Sequence, residues 1–155
     1  MSEQQAQETQ QPVFSIQKLY ITDISVESPN APISFMDSTT PEISVNFQNG
    51  AKAFEGGFYE VSLKVTAEAK TEDRTLFLVE VTQAGLFNIE NVPEGEMDSL
   101  IGIGCPSILF PYLREAVSDL TTRAGFAPLV LQPVNFEAIF LQQRMEQAQG
   151  NAANQ

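Results

Sequence analysis

The spacing of apolar residues changes once along this chain, and that change limits the folds available to it. Between residues 14 and 90, apolar residues alternate with polar ones, as in strands that bury one face. Beyond residue 90 they recur every three or four positions, as along one side of a helix. Strands followed by helices predict an α+β fold, with a four-stranded antiparallel sheet and two helices packed on one side of it.

The alternation predicts strands at residues 14–27, 42–48, 58–70 and 74–90. Asn49-Gly50 and Gly56-Gly57 are turn signals, and the short connection before residue 74 favours an antiparallel hairpin. One face of the first and fourth strands is unexpectedly apolar and also carries Glu80; its apolar members are Leu19, Ile21, Leu76 and Leu78. Such a cluster indicates a contact surface, although scattered exposed leucines are also ordinary.

The segment GCPSILFPYLREAV (104–117) contains the only cysteine of the chain and two prolines. Proline is tolerated in the first turn of a helix, so we expect a long helix to begin near Pro106 or Pro111 and to stop at Gly125. Asn135 is placed to cap a second helix. Two helices cover only one face of a sheet, so the remaining apolar groups predict oligomerisation.

A chain of 155 residues suits one domain. Residues 1–12 and 142–155 are rich in Gln, Asn, Ala and Glu, and we expect them to be largely disordered tails around a folded domain at 13–141. The first residues resemble no secretory signal, and no uninterrupted apolar run is long enough to cross a bilayer. With a single cysteine, these features predict a cytoplasmic protein that does not insert into membranes.

The charge is strongly acidic, with 20 Asp and Glu against 8 Lys and Arg and a formal net charge of −12. Phosphate backbones and anionic lipids would be repelled, so nucleic acid is not an expected partner. A basic polypeptide would be attracted.

The composition leaves little room for catalysis. The chain has no histidine, which excludes Ser-His and Cys-His dyads and every histidine-bearing metal site. Cys105 at a helix start is a conceivable nucleophile, but a small buried hydrophobe is the stronger interpretation. GIGCP (102–106) lacks the pattern of a phosphate loop. The sequence therefore predicts a protein that binds without being an enzyme, and without cofactor or metal.

Several segments in the same order resemble the SecB family of bacterial protein-export chaperones. They are YITDISVESPNAP (20–32), FYEVSLKVTAEAK (58–70), LFLVEVTQAGLF (76–87) and GCPSILFPYLREAVSDLTTRAGFAPLVLQPVNFEAIF (104–140). The resemblance implies a homotetramer, built as a dimer of dimers, that binds unfolded precursor proteins in the cytoplasm. It also implies delivery of these clients to the SecA ATPase without use of ATP or a cofactor by the chaperone itself. An adaptor for one folded partner and an enzyme remain the alternatives.

The resemblance also implies two sets of site residues. Family members contact SecA through an acidic, partly apolar sheet surface, which corresponds here to Asp23, Glu27, Leu78 and Glu80. They hold clients between a crossing segment, the second strand and the second helix, which corresponds here to Phe35, Met36, Ile43, Val45, Phe47 and Phe140. By alternation alone, Ile43, Val45 and Phe47 are equally suited to an ordinary core. Where members often have a Trp before a proline, this chain has Thr39 and Thr40 before Pro41.

Overall fold

The computed structural model describes residues 10–153 and confirms the predicted fold class, an antiparallel four-stranded sheet followed by helices. The strand order is β1-β4-β3-β2, so β1 and β2 form the two edges. The elements are β1 (Val13–Glu27), β2 (Glu42–Phe54), β3 (Phe58–Lys70), β4 (Thr75–Glu90), α1 (Glu94–Ser99), a π-helical segment (Leu100–Gly104), α2 (Cys105–Arg123) and α3 (Phe136–Ala153). The helices lie on one face of the sheet, here named the helix-side face; the opposite face is the outer face.

The first strand departs from simple alternation. Its register against β4 shifts between Ile16 and Lys18, and again between Ile21 and Asp23. Each shift reverses the direction of the side chains that follow. Leu19 and Ile21 therefore pair with Gly85 and Gln83 on the helix-side face, so the prediction that they share a face with Glu80 was wrong. Tyr20, between them, lies on the outer face. After the second shift, the side chains from Asp23 onward again lie on the faces that simple alternation gives them.

The other strands correct two further predictions. β2 continues through Asn49 and Gly50, which pair with β3, so the turn lies only at Gly56 and Gly57, where φ is positive. In β4 the register is irregular where Lys70 pairs with Thr75, and Leu76 is buried in the core. Of the four residues predicted to form an apolar cluster beside Glu80, only Leu78 therefore remains partly exposed on the outer face.

The helical region begins earlier than Pro106. α1, the π-helical segment and α2 follow one another without a break from Glu94 to Arg123, and Pro111 lies inside α2. By length and composition this stretch is apolar enough to cross a membrane. Such helices also occur as core helices, and this one packs on the sheet through a buried face that includes Leu109, Leu113 and Val117.

The C-terminal segment also differs from the prediction of a largely disordered tail. α3 runs to Ala153, because Gln, Glu, Met and Ala favour helix and Gly150 is the only strong breaker. As predicted, the Asn135 side chain caps α3: its Oδ1 accepts a hydrogen bond of 3.0 Å from the Ala138 N–H. The predicted N-terminal tail falls mostly on residues 1–9, which lie outside the described residues.

The core lies over the middle of the sheet. Helix-side residues of β3 and β4, such as Leu63, Val81 and Phe87, are fully buried beneath α2. The helix-side residues of the two edge strands are not covered to the same extent. The fold thus leaves one apolar strip along each edge.

Candidate functional site

A half-exposed apolar strip follows β2. Ile43, Val45 and Phe47 pair in register with Ala69, Ala67 and Val65, all on the helix-side face. Ile43 and Val45 are 46% and 37% exposed, whereas Phe47 is partly buried against the core. We name these three residues the β2 strip. The structure therefore assigns Phe47 partly to the core and leaves Ile43 and Val45 open to solvent.

Phe35 and Met36 lie in the crossing segment between β1 and β2. The Phe35 ring packs on Phe126, with centroids 5.0 Å apart, and half of the Phe35 side chain stays exposed. Met36 is 79% exposed. Phe126 in turn packs on Phe77 of β4, which fixes this end of the segment to the core.

Polar contacts hold the crossing segment to the sheet. The Asn30 side-chain amide donates a 2.7 Å hydrogen bond to the Thr75 carbonyl, and Arg74 lies 4.0 Å from Asp37. The Thr39 backbone N–H donates to the Asp37 carboxylate and holds the pKa of that group below its usual value, with a smaller contribution from Arg74. Thr39 and Thr40, which precede Pro41, are exposed.

Phe140 lies at the other end of the β2 region. With Asn49, Gly50 and Ala51 of β2 it lines a cleft of about 380 Å³. Ile43 and Ala51 are eight residues apart, so the surface from the β2 strip to this cleft is roughly 27 Å long at ~3.4 Å per residue. Phe140 and the β2 strip thus lie along one edge of the sheet. Phe35 and Met36 lie in the segment that leads into β2, where Phe35 is anchored on Phe126.

The four acidic and apolar residues predicted to contact SecA lie together on the outer face. Glu27 pairs with Leu78 and Ser25 with Glu80 across the β1–β4 ladder, and Asp23 follows opposite Thr82. Asp23 and Glu27 are exposed. Within the described part of the chain, no ion pair involves these carboxylates. The arrangement is an acidic surface around one partly exposed leucine.

An aromatic patch on the same face was not predicted. The Tyr20 hydroxyl donates a 2.5 Å hydrogen bond to Glu60, and Phe54, Phe58 and Leu86 lie beside it. Burial, together with the Glu60 carboxylate, raises the pKa of Tyr20 to about 12. Tyr20 therefore stays neutral and adds no negative charge to this face.

Cys105 cannot serve as a reactive thiol in this environment. It is fully buried, and burial raises the pKa of its thiol to about 12. The preceding π-helical segment continues directly into α2, so Cys105 is not at a free helix start whose N–H groups would stabilise a thiolate. The structure supports the interpretation of Cys105 as a packing residue.

Cys105→Ser is accordingly expected to leave client binding and assembly unchanged. The buried hydroxyl should lower the free energy of unfolding by about 1–2 kcal/mol, which urea denaturation would measure. Loss of function in a variant that folds and assembles normally would instead restore the enzyme hypothesis.

Three residues near the proposed client surface were missed by sequence reasoning: Gly102, Phe126 and Arg144. An ideal Cβ on Gly102 would lie 2.5 Å from Cδ2 of Phe140, so the glycine makes room for that ring. The Arg144 guanidinium lies 4.7 Å from the centre of the same ring. The spacing of Phe140 and Arg144, four residues apart on a helix, was the one available signal, but the tail prediction obscured it.

These observations define a class of protein. Its distinctive surfaces are an apolar strip along a sheet edge and an acidic sheet face, and the described residues contain no cluster of metal-ligating side chains. Apolar and acidic surfaces of this kind are typical of proteins that bind other polypeptides.

Comparisons with known proteins identify the family. The model of the family described as preprotein translocase subunit SecB matches residues 7–147. The protein-export protein SecB of Thiobacillus denitrificans is 53% identical over 148 residues, 96% of this chain and 97% of the relative. That of Dechloromonas aromatica is 54% identical over 142 residues, 92% and 93% of the two chains. The chain belongs to the SecB family of protein-export chaperones, which also confirms that it is not an enzyme.

A solved structure shares the fold. The SecB-like chaperone Rv1957 of Mycobacterium tuberculosis, in complex with a ChAD peptide from the Rv1956 HigA1 antitoxin, superposes with a TM-score of 0.64 at 18% identity. The match covers 79% of this chain and 91% of that protein.

Proposed function

We propose that this protein binds unfolded precursor proteins along the β2 strip and its two ends, and keeps them competent for translocation. The half-exposure of Ile43 and Val45 on the helix-side face carries this proposal. A non-native chain exposes apolar groups over many residues, and each that becomes fully buried contributes about 1.5–3 kcal/mol. Several weak contacts on one chain raise avidity without requiring a defined sequence.

The side chains at the two ends suit such varied clients. Phe35, Met36 and Phe140 can repack around different apolar groups, because Met is flexible and aromatic rings offer large contact areas. Phe35, supported by Phe126, supplies an aromatic group in the crossing segment, the segment in which family members often have a Trp.

Delivery to SecA is proposed to occur through the outer face, at Asp23, Glu27, Leu78 and Glu80. The carboxylates would speed encounter with a basic partner, and Leu78 would supply the desolvated contact. Because clients and SecA would occupy opposite faces of the sheet, one subunit could hold both.

The chaperone is proposed to need no ATP or other cofactor. Gly102 and Gly104 lie inside a helical stretch, so their backbone N–H groups are not arranged as in a phosphate-binding loop. Nucleotide hydrolysis would then occur on SecA.

Assembly as a homotetramer, a dimer of dimers in the cytoplasm, is proposed from the second uncovered edge. We name the half-exposed apolar residues of β1 the β1 strip: Phe14, Ile16, Ile21, Ile24 and Val26, which are 37–48% exposed. Tyr112 on α2 is also about half exposed. Burial of these groups between copies of the chain would stabilise the assembly.

Light scattering tests the chaperone function most directly. A denatured precursor protein, diluted from urea without nucleotide, should aggregate alone and stay dispersed with four chains of this protein per precursor molecule. Unchanged aggregation of several unrelated precursors would contradict the proposal and favour an adaptor that binds one folded partner.

A further inference from the structure

The end of the client surface at Phe140 is built from residues of three different segments. The Phe140 ring lies against the backbone of Gly102 in the π-helical segment, and Arg144 covers the ring at 4.7 Å from its centre. Arg144 Nη2 also lies 3.0 Å from Asp98 Oδ2 of α1, across 46 residues of sequence.

These contacts restrain the part of α3 that follows Phe136. Phe136 is buried, but residues 141–151 are exposed along their whole length. Without Arg144, and without the space that the missing Cβ of Gly102 leaves for the ring, only partial burial would fix the rotamer of Phe140. The Arg144 guanidinium can contact a ring face and a carboxylate at once because it is planar and carries several donors.

We propose that Arg144, Asp98 and Gly102 are positioning residues, which hold the Phe140 ring in the orientation that receives an apolar client group. This inference rests on the proposed client-binding function. The ion pair is exposed, with side chains 53% and 63% accessible, so its effect is moderate and is screened by salt.

Client binding provides the first test. The probe is a fluorescein-labelled α-lactalbumin that has been reduced and carbamidomethylated, which is permanently unfolded. Arg144→Gln is expected to weaken its binding by about three- to tenfold, since it removes both the ion pair and the cation–π contact. Arg144→Lys should lie in between, because the charge remains and the flat face is lost. The difference in probe affinity between wild type and Arg144→Gln should be smaller at 500 mM NaCl than at 50 mM, because salt screens the ion pair.

Gly102→Ala tests the contact between the Phe140 ring and Gly102 without any change of charge. Its methyl group would have to displace the Phe140 ring, so we expect a similar loss of affinity. Alanine favours helix more than glycine does, so this loss would not arise from a weaker helix.

The structural readout is fluorine NMR of protein labelled with fluorophenylalanine. The Phe140 resonance is assigned by its loss in Phe140→Leu, and it should shift in Arg144→Gln and in Asp98→Asn. Arg123→Gln is the matched control, because Arg123 forms an exposed ion pair of 2.9 Å with Asp119 and is paired with no aromatic ring.

The outcomes separate this inference from the proposed function. If wild-type protein does not bind the probe, the client-binding function fails and the inference fails with it. If wild type binds, the inference is overturned by an unmoved Phe140 resonance, by unchanged affinity in Arg144→Gln and Gly102→Ala, or by an equal loss in Arg123→Gln.

Discussion

Replacement of Glu80 by lysine is expected to lower the affinity for SecA by about ten- to a hundredfold, and to leave client binding unchanged. Glu80 lies in β4 between Ser25 of β1 and Thr66 of β3, so it is central to the outer acidic face. A lysine there would place a positive charge between Asp23 and Glu27 and would repel a basic partner. Isothermal calorimetry with SecA at low salt measures the effect.

Glu55→Lys is the control for this variant. It makes the same change in net charge, from −12 to −10 (−12 + 2), in the turn between β2 and β3. We expect SecA affinity close to that of the wild type, because exposed charges separated by more than about 8–10 Å are largely screened at physiological salt. Equal effects of the two substitutions would mean that net charge, rather than this face, governs SecA binding.

Most of the sheet could be predicted because alternation reports which face a side chain occupies. β3 and β4 follow it nearly throughout, and the structure places Asp23, Glu27 and Glu80 on one face, as the alternation indicates. Alternation cannot reveal a β-bulge, since an extra residue leaves no mark in the composition. The two shifts in β1 cancel, so only the side chains between them are reversed, and the wrong predictions are confined to Leu19 and Ile21.

The exposure of the β2 strip could not be predicted. Ile43 and Val45 have the pattern of core residues, and whether they are covered depends on where helices distant in sequence come to lie. α2 packs mainly on β3 and β4, which leaves both edges open. The extent of α3 was missed for a related reason: Gln-rich and Ala-rich segments are compatible with either helix or disorder.

The solvent exposure of the β2 strip leads to a second prediction of a large loss of affinity, here for clients. The double substitution Ile43→Asp and Val45→Asp is expected to weaken binding of a short unfolded apolar peptide by about a hundredfold. It removes two apolar anchors, each contributing about 1–2 kcal/mol at this partial exposure, and it places charges where the client must be desolvated. The fold should persist, because both side chains are already substantially exposed. Fluorescence anisotropy of a labelled peptide measures the affinity. A peptide of about eight residues is long enough to reach from Ile43 to the cleft beside Phe140.

The β1 strip supplies a closely matched control. Ile24 and Val26 are 48% and 37% exposed, against 46% and 37% for Ile43 and Val45, and they also lie on the helix-side face of an edge strand. Ile24→Asp with Val26→Asp makes the same chemical change, but it should dissociate the assembly and retain affinity for the short peptide. Size-exclusion chromatography with light scattering reports the assembly. If the β2 variant dissociates, or the β1 variant loses the peptide as strongly, the two edges do not divide these roles: client capture and self-association would then share the same apolar surface, and the sheet would have no edge reserved for clients.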